Sequence, residues 1–405
     1  MTRQKAQGTR QKVCCLVVAV CLLPSALSEP AAFYGPVAAS AAREPRRGIT
    51  AANVVARAYD LILDADFDRL KAELPATCGP APPVACLGLE ALSLWWQIQL
   101  DPESRALDGA FSSKANAAIA EAERMTAAEP ERAEAWFYLG AAYGVRAQWR
   151  VLRVERVAAA RDGKRIKESL ERALALDPAM HDAEFGIGLY RYYAAVAPAY
   201  LRFLRWLFLL PGGDRVDGLR QLERAATQGL LVRGEAQYQI QMLYLWYEQK
   251  WREALALVRG LQARYPRNPH FRQVEAEILD VYFHDPAASL TASEQLLALS
   301  RAGAVRRAGL AEVVARLNMA RQLRALGQRD RAVTELDAII ARANCGSSGA
   351  DYSCARIDPT RCNNGVADRA SNANHKRFML DKLYFSSIIY IWYEGARLRP
   401  LIVKT

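Results

Sequence analysis

Histidine is scarce in this chain, with four residues in 405, at positions 181, 270, 284 and 375. None stands at the i, i+4 spacing that puts two imidazoles on one helix face, and no HExxH frame occurs. Strand-type alternation is missing too: no stretch sustains the period of two that a half-buried strand needs. Lysine is sparse, 10 residues against 44 arginines. There is no GxSxG turn, no paired-acid frame and no cysteine in a catalytic setting. These absences predict a protein without a catalytic residue, a metal or a cofactor.

What is present begins with an address. Arg3, Lys5, Arg10 and Lys12 precede an apolar run from Val13 to Leu23, and Ala26-Leu27-Ser28 offers small residues for cleavage. That pattern predicts an export signal over residues 1–28, its core too short to anchor comfortably in a bilayer. The expected location is a periplasm, the cell envelope or the medium. Loss of the leader removes four basic residues and no acid, taking the formal charge from +11 to about +7. An exported chain of this charge is not expected to meet nucleic acid, but it can meet anionic lipid or acidic polymer. Residues 29–48 lack apolar periodicity and read as a flexible lead-in.

Three of the eight cysteines leave with the leader. Cys78 and Cys86 bracket the turn-rich GPAPPVA, so a local disulfide is expected there. Of Cys345, Cys354 and Cys362, two are expected to form a second bridge, with the pairing open. Their spacings of nine and eight residues are not those of zinc knuckles.

From residue 50 onward apolar clusters recur at three- and four-residue spacing, in a background rich in Ala, Leu, Arg and Glu. Both features predict helices. Trp136, Leu139, Gly140 and Tyr143 stand at relative positions 4, 7, 8 and 11, followed by Leu170, Ala173 and Pro178. Small residues at Gly140 and Ala173 let two helix backbones approach closely, and Pro178 ends the second helix. The frame returns at Ala254, Val258, Leu261 and Pro266, and again at Ala320, Gly327, Ala332, Leu336 and Ile339. Ala85 to Leu100 with Ser112 to Ala128 forms an earlier, degenerate pair.

This spacing resembles the tetratricopeptide repeat. The block Gly186-Ile187-Gly188-Leu189, Leu210-Pro211-Gly212-Gly213-Asp214-Arg215 and Gly218-Leu219 resembles one in bacterial exported tetratricopeptide-repeat proteins. It is more distantly similar to the eukaryotic tetratricopeptide-repeat-39 and inclusion-body-clearance proteins. The resemblance implies an all-α, right-handed αα superhelix, a solenoid of about seven helix hairpins over 49–343, two of them extended. It implies no catalytic residues. A loop with the three late cysteines (344–372) and a capping helix with its tail (373–405) would complete the chain.

Two stretches invite sharper readings and are refused them. Leu210-Pro211-Gly212-Gly213 looks like a phosphate loop, but Asp214 and Arg215 follow where lysine and a hydroxyl belong. A turn with Asp214 capping the next helix is expected instead. Asp64, Asp66 and Asp68 imitate the start of a calcium loop, yet Arg69 stands where that loop requires glycine. Helix capping is expected there as well.

Two surfaces are candidates for binding. In the repeat frame, first-helix positions 5, 9 and 12 bring Phe137, Tyr192, Gln239, Trp246, Arg321 and Arg324 to a concave groove suited to a protein or peptide partner. The second candidate is the basic stretch 146–167, where Arg146, Arg150 and Arg153 share a helix face. It is followed by AYLRFLRWLFLL at 199–210. With Phe203 and Trp206 as anchors, this pair could lie on an anionic membrane. Burial between the extended helices would give the same apolar composition.

Overall fold

The computed structural model describes residues 47–196 and 212–346, with side chains as far as residue 342. Among the described residues there are fourteen α-helices and no strand. They are α1 (Ala52–Leu63), α2 (Phe67–Cys78), α3 (Pro83–Gln99), α4 (Asp108–Ala128), α5 (Ala133–Leu152), α6 (Arg156–Leu176) and α7 (His181–Val196). After residues 197–211 follow α8 (Arg215–Gln228), α9 (Arg233–Leu243), α10 (Trp251–Arg264) and α11 (Pro269–Val281). The last three are α12 (Pro286–Arg301), α13 (Ala308–Ala325) and α14 (Arg329–Gly346).

The helix ends follow local chemistry. Asp214 accepts a hydrogen bond from the Asp217 amide, and Asp285 from the Ala288 amide, each satisfying a free donor of a first turn. Asp66 does the same for Arg69, so this aspartate caps α2. Asn268 accepts from the His270 amide, with Pro269 at the first helical position, where a missing N–H costs nothing. The Cys78–Cys86 disulfide links the end of α2 to the start of α3.

Each described helix packs on the next in chain order, and α3 also touches α5, α5 touches α7, and α11 touches α13. Glycine permits the closest of these approaches. A Cβ on Gly140 of α5 would lie 2.5 Å from the Leu170 side chain of α6. Between α7 and α8 the contact is backbone to backbone: a Cβ on Gly188 would lie 2.8 Å from the Gly218 carbonyl oxygen. Large apolar side chains fill the space alongside, with Trp95, Trp96, Phe111, Ile187 and Leu222 fully buried.

One contact breaks the neighbour-to-neighbour order. α1 touches α9 as well as α2 and α3. It runs past the starts of several helices: the Thr50 amide donates to Glu134 of α5, and the Asn268 side chain before α11 donates to the Leu63 carbonyl.

Candidate functional site

The starts of α5, α7 and α9 each carry a buried acid: Glu134, Asp182 and Glu235. A buried carboxylate must be saturated with donors, and here the protein's own backbone and N-terminal helices supply them. Glu134 accepts from the Thr50 amide and hydroxyl and from Arg132. Asp182 takes the amides of Leu230, Leu231 and Val232 just before α9. Glu235 accepts from Trp96 Nε1 of α3 at 3.3 Å and from Gln239 at 3.3 Å. Burial pushes the Glu235 carboxyl up to about 7, against hydrogen bonds from Gln239, Trp96 and Tyr59 that pull it down.

Beside Glu235 the rings of Trp96, Tyr238, His270 and Phe271 pack edge to face or tilted, with centroids 5.4–6.3 Å apart. The Tyr238 hydroxyl and His270 Nε2 lie 2.8 Å apart. Burial drives the His270 pKa down to about 4, so the ring is neutral at pH 7. This is an interior network.

That interior settles where the expected groove residues lie. Phe137, Tyr192 and Gln239 are buried, at 3%, 0% and 5% exposure. They therefore present no surface to a partner. Gln239 reaches Glu235, and Tyr192 donates to Glu248 at 2.5 Å while packing on Tyr193 and Tyr247. Trp246 is half-buried, Arg321 is half-buried, and Arg324 is exposed. Arg321 donates to Asn318.

Two acids that the repeat frame does not single out stand near these open positions. Glu277 is exposed. Arg321 acts on its charge to favour the carboxylate, and Asp280 acts against it. The sequence signal was available in AEILD, acids spaced three apart, but on a helix that also carries Arg272, Gln273 and Glu275 it does not differ from an ordinary solvated face. Glu277, Asp280 and Arg321 thus form a mixed-charge cluster on α11 and α13, with Arg324 one turn further along α13.

The basic candidates are placed differently from expectation. Arg146 and Arg150 both pair with Asp162 of α6, at 2.7 and 2.6 Å, and Asp162 is only 2% exposed. Arg153 pairs with Asp108 of α4 and donates to the carbonyls of Pro102 and Ser104. These three guanidiniums are fixed within the protein instead of being held out to an anionic surface. What the α5–α6 turn does expose is Val154 and Val157, at 55% and 68%, beside Arg156, Arg161, Lys164 and Arg165. Phe203 and Trp206 lie outside the described residues, as do Cys354 and Cys362 and the side chain of Cys345.

A row of acids at the end of α1 and start of α2 meets a row of arginines from the distant half of the chain. Asp60 accepts from Arg264 and from the Tyr265 hydroxyl, Asp64 from the Arg267 amide, and Asp66 from the Arg267 side chain. Asp68 pairs with Arg306, whose guanidinium also lies over the Phe67 ring, and Asp101 pairs with Arg307. A crevice of about 290 Å³ opens here, lined by Phe67, Gln97, Asp101, Ser104, Arg306 and Arg307 among others.

Among the described residues no group of three or more His, Cys, Asp or Glu side chains is placed to hold a metal ion. No described helix is long and apolar enough to cross a membrane. The chain matches no protein-family model and no curated protein.

Proposed function

We propose that this chain is an exported, non-catalytic scaffold of tetratricopeptide type that holds a protein or peptide partner in the cell envelope. The observation that carries the reading is the division of the first-helix side into two parts. At the starts of α5 and α9 that side is occupied by the protein's own N-terminal residues, through Thr50 on Glu134 and Trp96 on Glu235, and Leu63 meets Asn268 just before α11. Toward the ends of α11 and α13 it keeps Glu277, Asp280 and Arg321 together, with the exposed Arg324 one turn further along α13 and the half-buried Trp246, beyond the end of α9, packed against the apolar side of α11. An aromatic surface flanked by both charge signs suits an extended peptide that carries charges of its own. The tight helix pairing at Gly140 and Gly188 supports a rigid array, which places a ligand without paying for its own ordering.

The test uses the partner crosslinked and identified from envelope fractions. Its affinity for the wild-type chain is compared with that for Trp246→Ala and Arg324→Glu, with circular dichroism confirming the fold. The proposal expects at least a tenfold loss for each, the size of about 1.4 kcal/mol. Unchanged affinity in both variants would remove this surface from consideration.

A second reading, peripheral docking on anionic lipid, is favoured by one observation: Val154 before α6 and Val157 in its first turn are exposed, and Arg156, Arg161, Lys164 and Arg165 of the same helix are exposed as well, with Glu155 between the valines. It expects that Val154→Glu with Val157→Glu, or Phe203→Glu with Trp206→Glu, abolishes co-sedimentation with vesicles containing phosphatidylglycerol. Retained co-sedimentation in both would end it.

A further inference from the structure

The last described helix, α14, leaves an apolar row uncovered. Val333, Leu336 and Ile340 are 53%, 41% and 36% exposed and stand at i, i+3 and i+7, one side of a helix. The same position is interior in earlier second helices. Leu170 of α6, Leu222 of α8 and Val258 of α10 each sit three residues before Ala173, Ala225 and Leu261, as Leu336 sits three before Ile339. All three are buried, at 3%, 0% and 0%.

The geometry at Leu170 shows what completes that burial. A Cβ added to Gly140 of α5 would come within 2.5 Å of the Leu170 side chain, and one added to Gly186 of α7 within 2.4 Å. Leu170 is therefore held between its own partner helix and the first helix of the following pair. Leu336 has its partner, α13, but no described helix follows α14.

We propose that residues 375–396 of this same chain cover the Val333–Leu336–Ile340 row, in the place that the first helix of a following pair takes over Leu170. The chain continues for 59 residues beyond Gly346. Returning from the end of α14 to the level of Leu336 is a distance of about 15 Å. The intervening residues 347–374 span that many times over. Within 375–396, Leu383, Ser387 and Tyr390 repeat the spacing of Trp136, Gly140 and Tyr143, with serine as the small residue. The flanking FMLDKLYFSSIIYIWY is apolar enough to fill a row of three aliphatic side chains. A three-residue row is also narrow for a stable interface between two copies, which buries about 800 Å² on each partner.

This inference rests on the helix-pair order of the scaffold reading and not on its partner, so partner capture can fail while it stands. The test replaces Leu336 with benzoylphenylalanine in the full-length chain, with Val157 replaced in a control. Irradiation is expected to give an intrachain crosslink from 336 to residues 378–393 on a monomeric chain, with none from 157 to that segment. A crosslink to a second copy or another protein, or no crosslink to that segment, would overturn the proposal. Hydrogen exchange gives a second readout on Leu383→Glu with Phe385→Glu. The α14 amides should exchange at least tenfold faster while α5 and α6 keep their protection. Unchanged α14 exchange would count equally against it.

Discussion

At Glu235 a carboxylate is held among Tyr59, Trp96 and Gln239, and burial raises it from an ordinary value of 4.5 to about 7. The folded state then holds a proton that the unfolded state has already lost. Stability from this group is complete below about pH 4.5 and falls as pH rises through 7. The shift corresponds to up to about 3 kcal/mol. Glu235→Gln should remove that falling contribution, so the stability of the variant relative to wild type should rise between about pH 4.5 and 7 in urea melts; a difference independent of pH would place the effect elsewhere. His270 acts in the opposite sense. Its pKa is lowered from 6.5 to about 4, so its contribution is intact above 6.5 and is lost as pH falls toward 4. The two slopes oppose each other between about pH 5 and 6.5, where stability should change little. Neither shift was legible in the sequence, because RGEAQY and NPHF show an acid near one helix start and a histidine near another without showing that they meet in one interior.

Among the elements, the close helix approaches give the sharpest test. A methyl group on Gly188 or Gly218 must displace backbone, since the nearest atoms are the Gly218 carbonyl oxygen at 2.8 Å and the Tyr192 nitrogen at 2.7 Å. Gly188→Ala and Gly218→Ala should each destabilise by about 1–3 kcal/mol. Gly144, in the interior of α5, has nothing within 4 Å of an added Cβ. Gly144→Ala should therefore stabilise by up to about 1 kcal/mol, because alanine has the higher helix propensity. Thermal melts that fail to separate the two classes would refute the packing account. At this scale the sequence was most readable. The spacing from Trp136 to Tyr143 predicts a helix with a small residue at its contact, and Gly140 against Leu170 is that contact. Asp214 capping α8 and the Cys78–Cys86 bridge were readable for the same reason, since both are short-range chemistry. Local spacing presents the arginines at 146, 150 and 153 as surface charge, because their partners, Asp162 and Asp108, are brought to them only by the turn and by packing.

For the whole molecule, what local patterns could not convey is the return of the N-terminal helices onto the later half. Some of those contacts join residues more than 200 apart, and they include one buried hydrogen bond, from Asn268 to Leu63, among part-buried and exposed ones. Asn268 is 1% exposed, donates to the Leu63 carbonyl and caps α11. Asn268→Ala should cost about 2 kcal/mol by leaving a buried carbonyl unpaired and a cap unmade. The Asp68–Arg306 pair is solvated, and Arg306→Ala should cost under about 1 kcal/mol. Denaturant midpoints in the reverse order would mean that the acid and arginine rows, not the buried amide, hold the two halves together. The same return of α1 and α3 buries Gln239 through Glu235 and Trp96, and it confines the proposed partner surface to the region of Trp246, Glu277, Arg321 and Arg324. The most direct measurement places a photo-reactive side chain at Arg324 in one preparation and at Val154 in another, then maps what each captures in envelope fractions. A defined protein crosslinked from 324, and lost on Trp246→Ala, is the expected result. Lipid captured from 154, with nothing specific at 324, would contradict it.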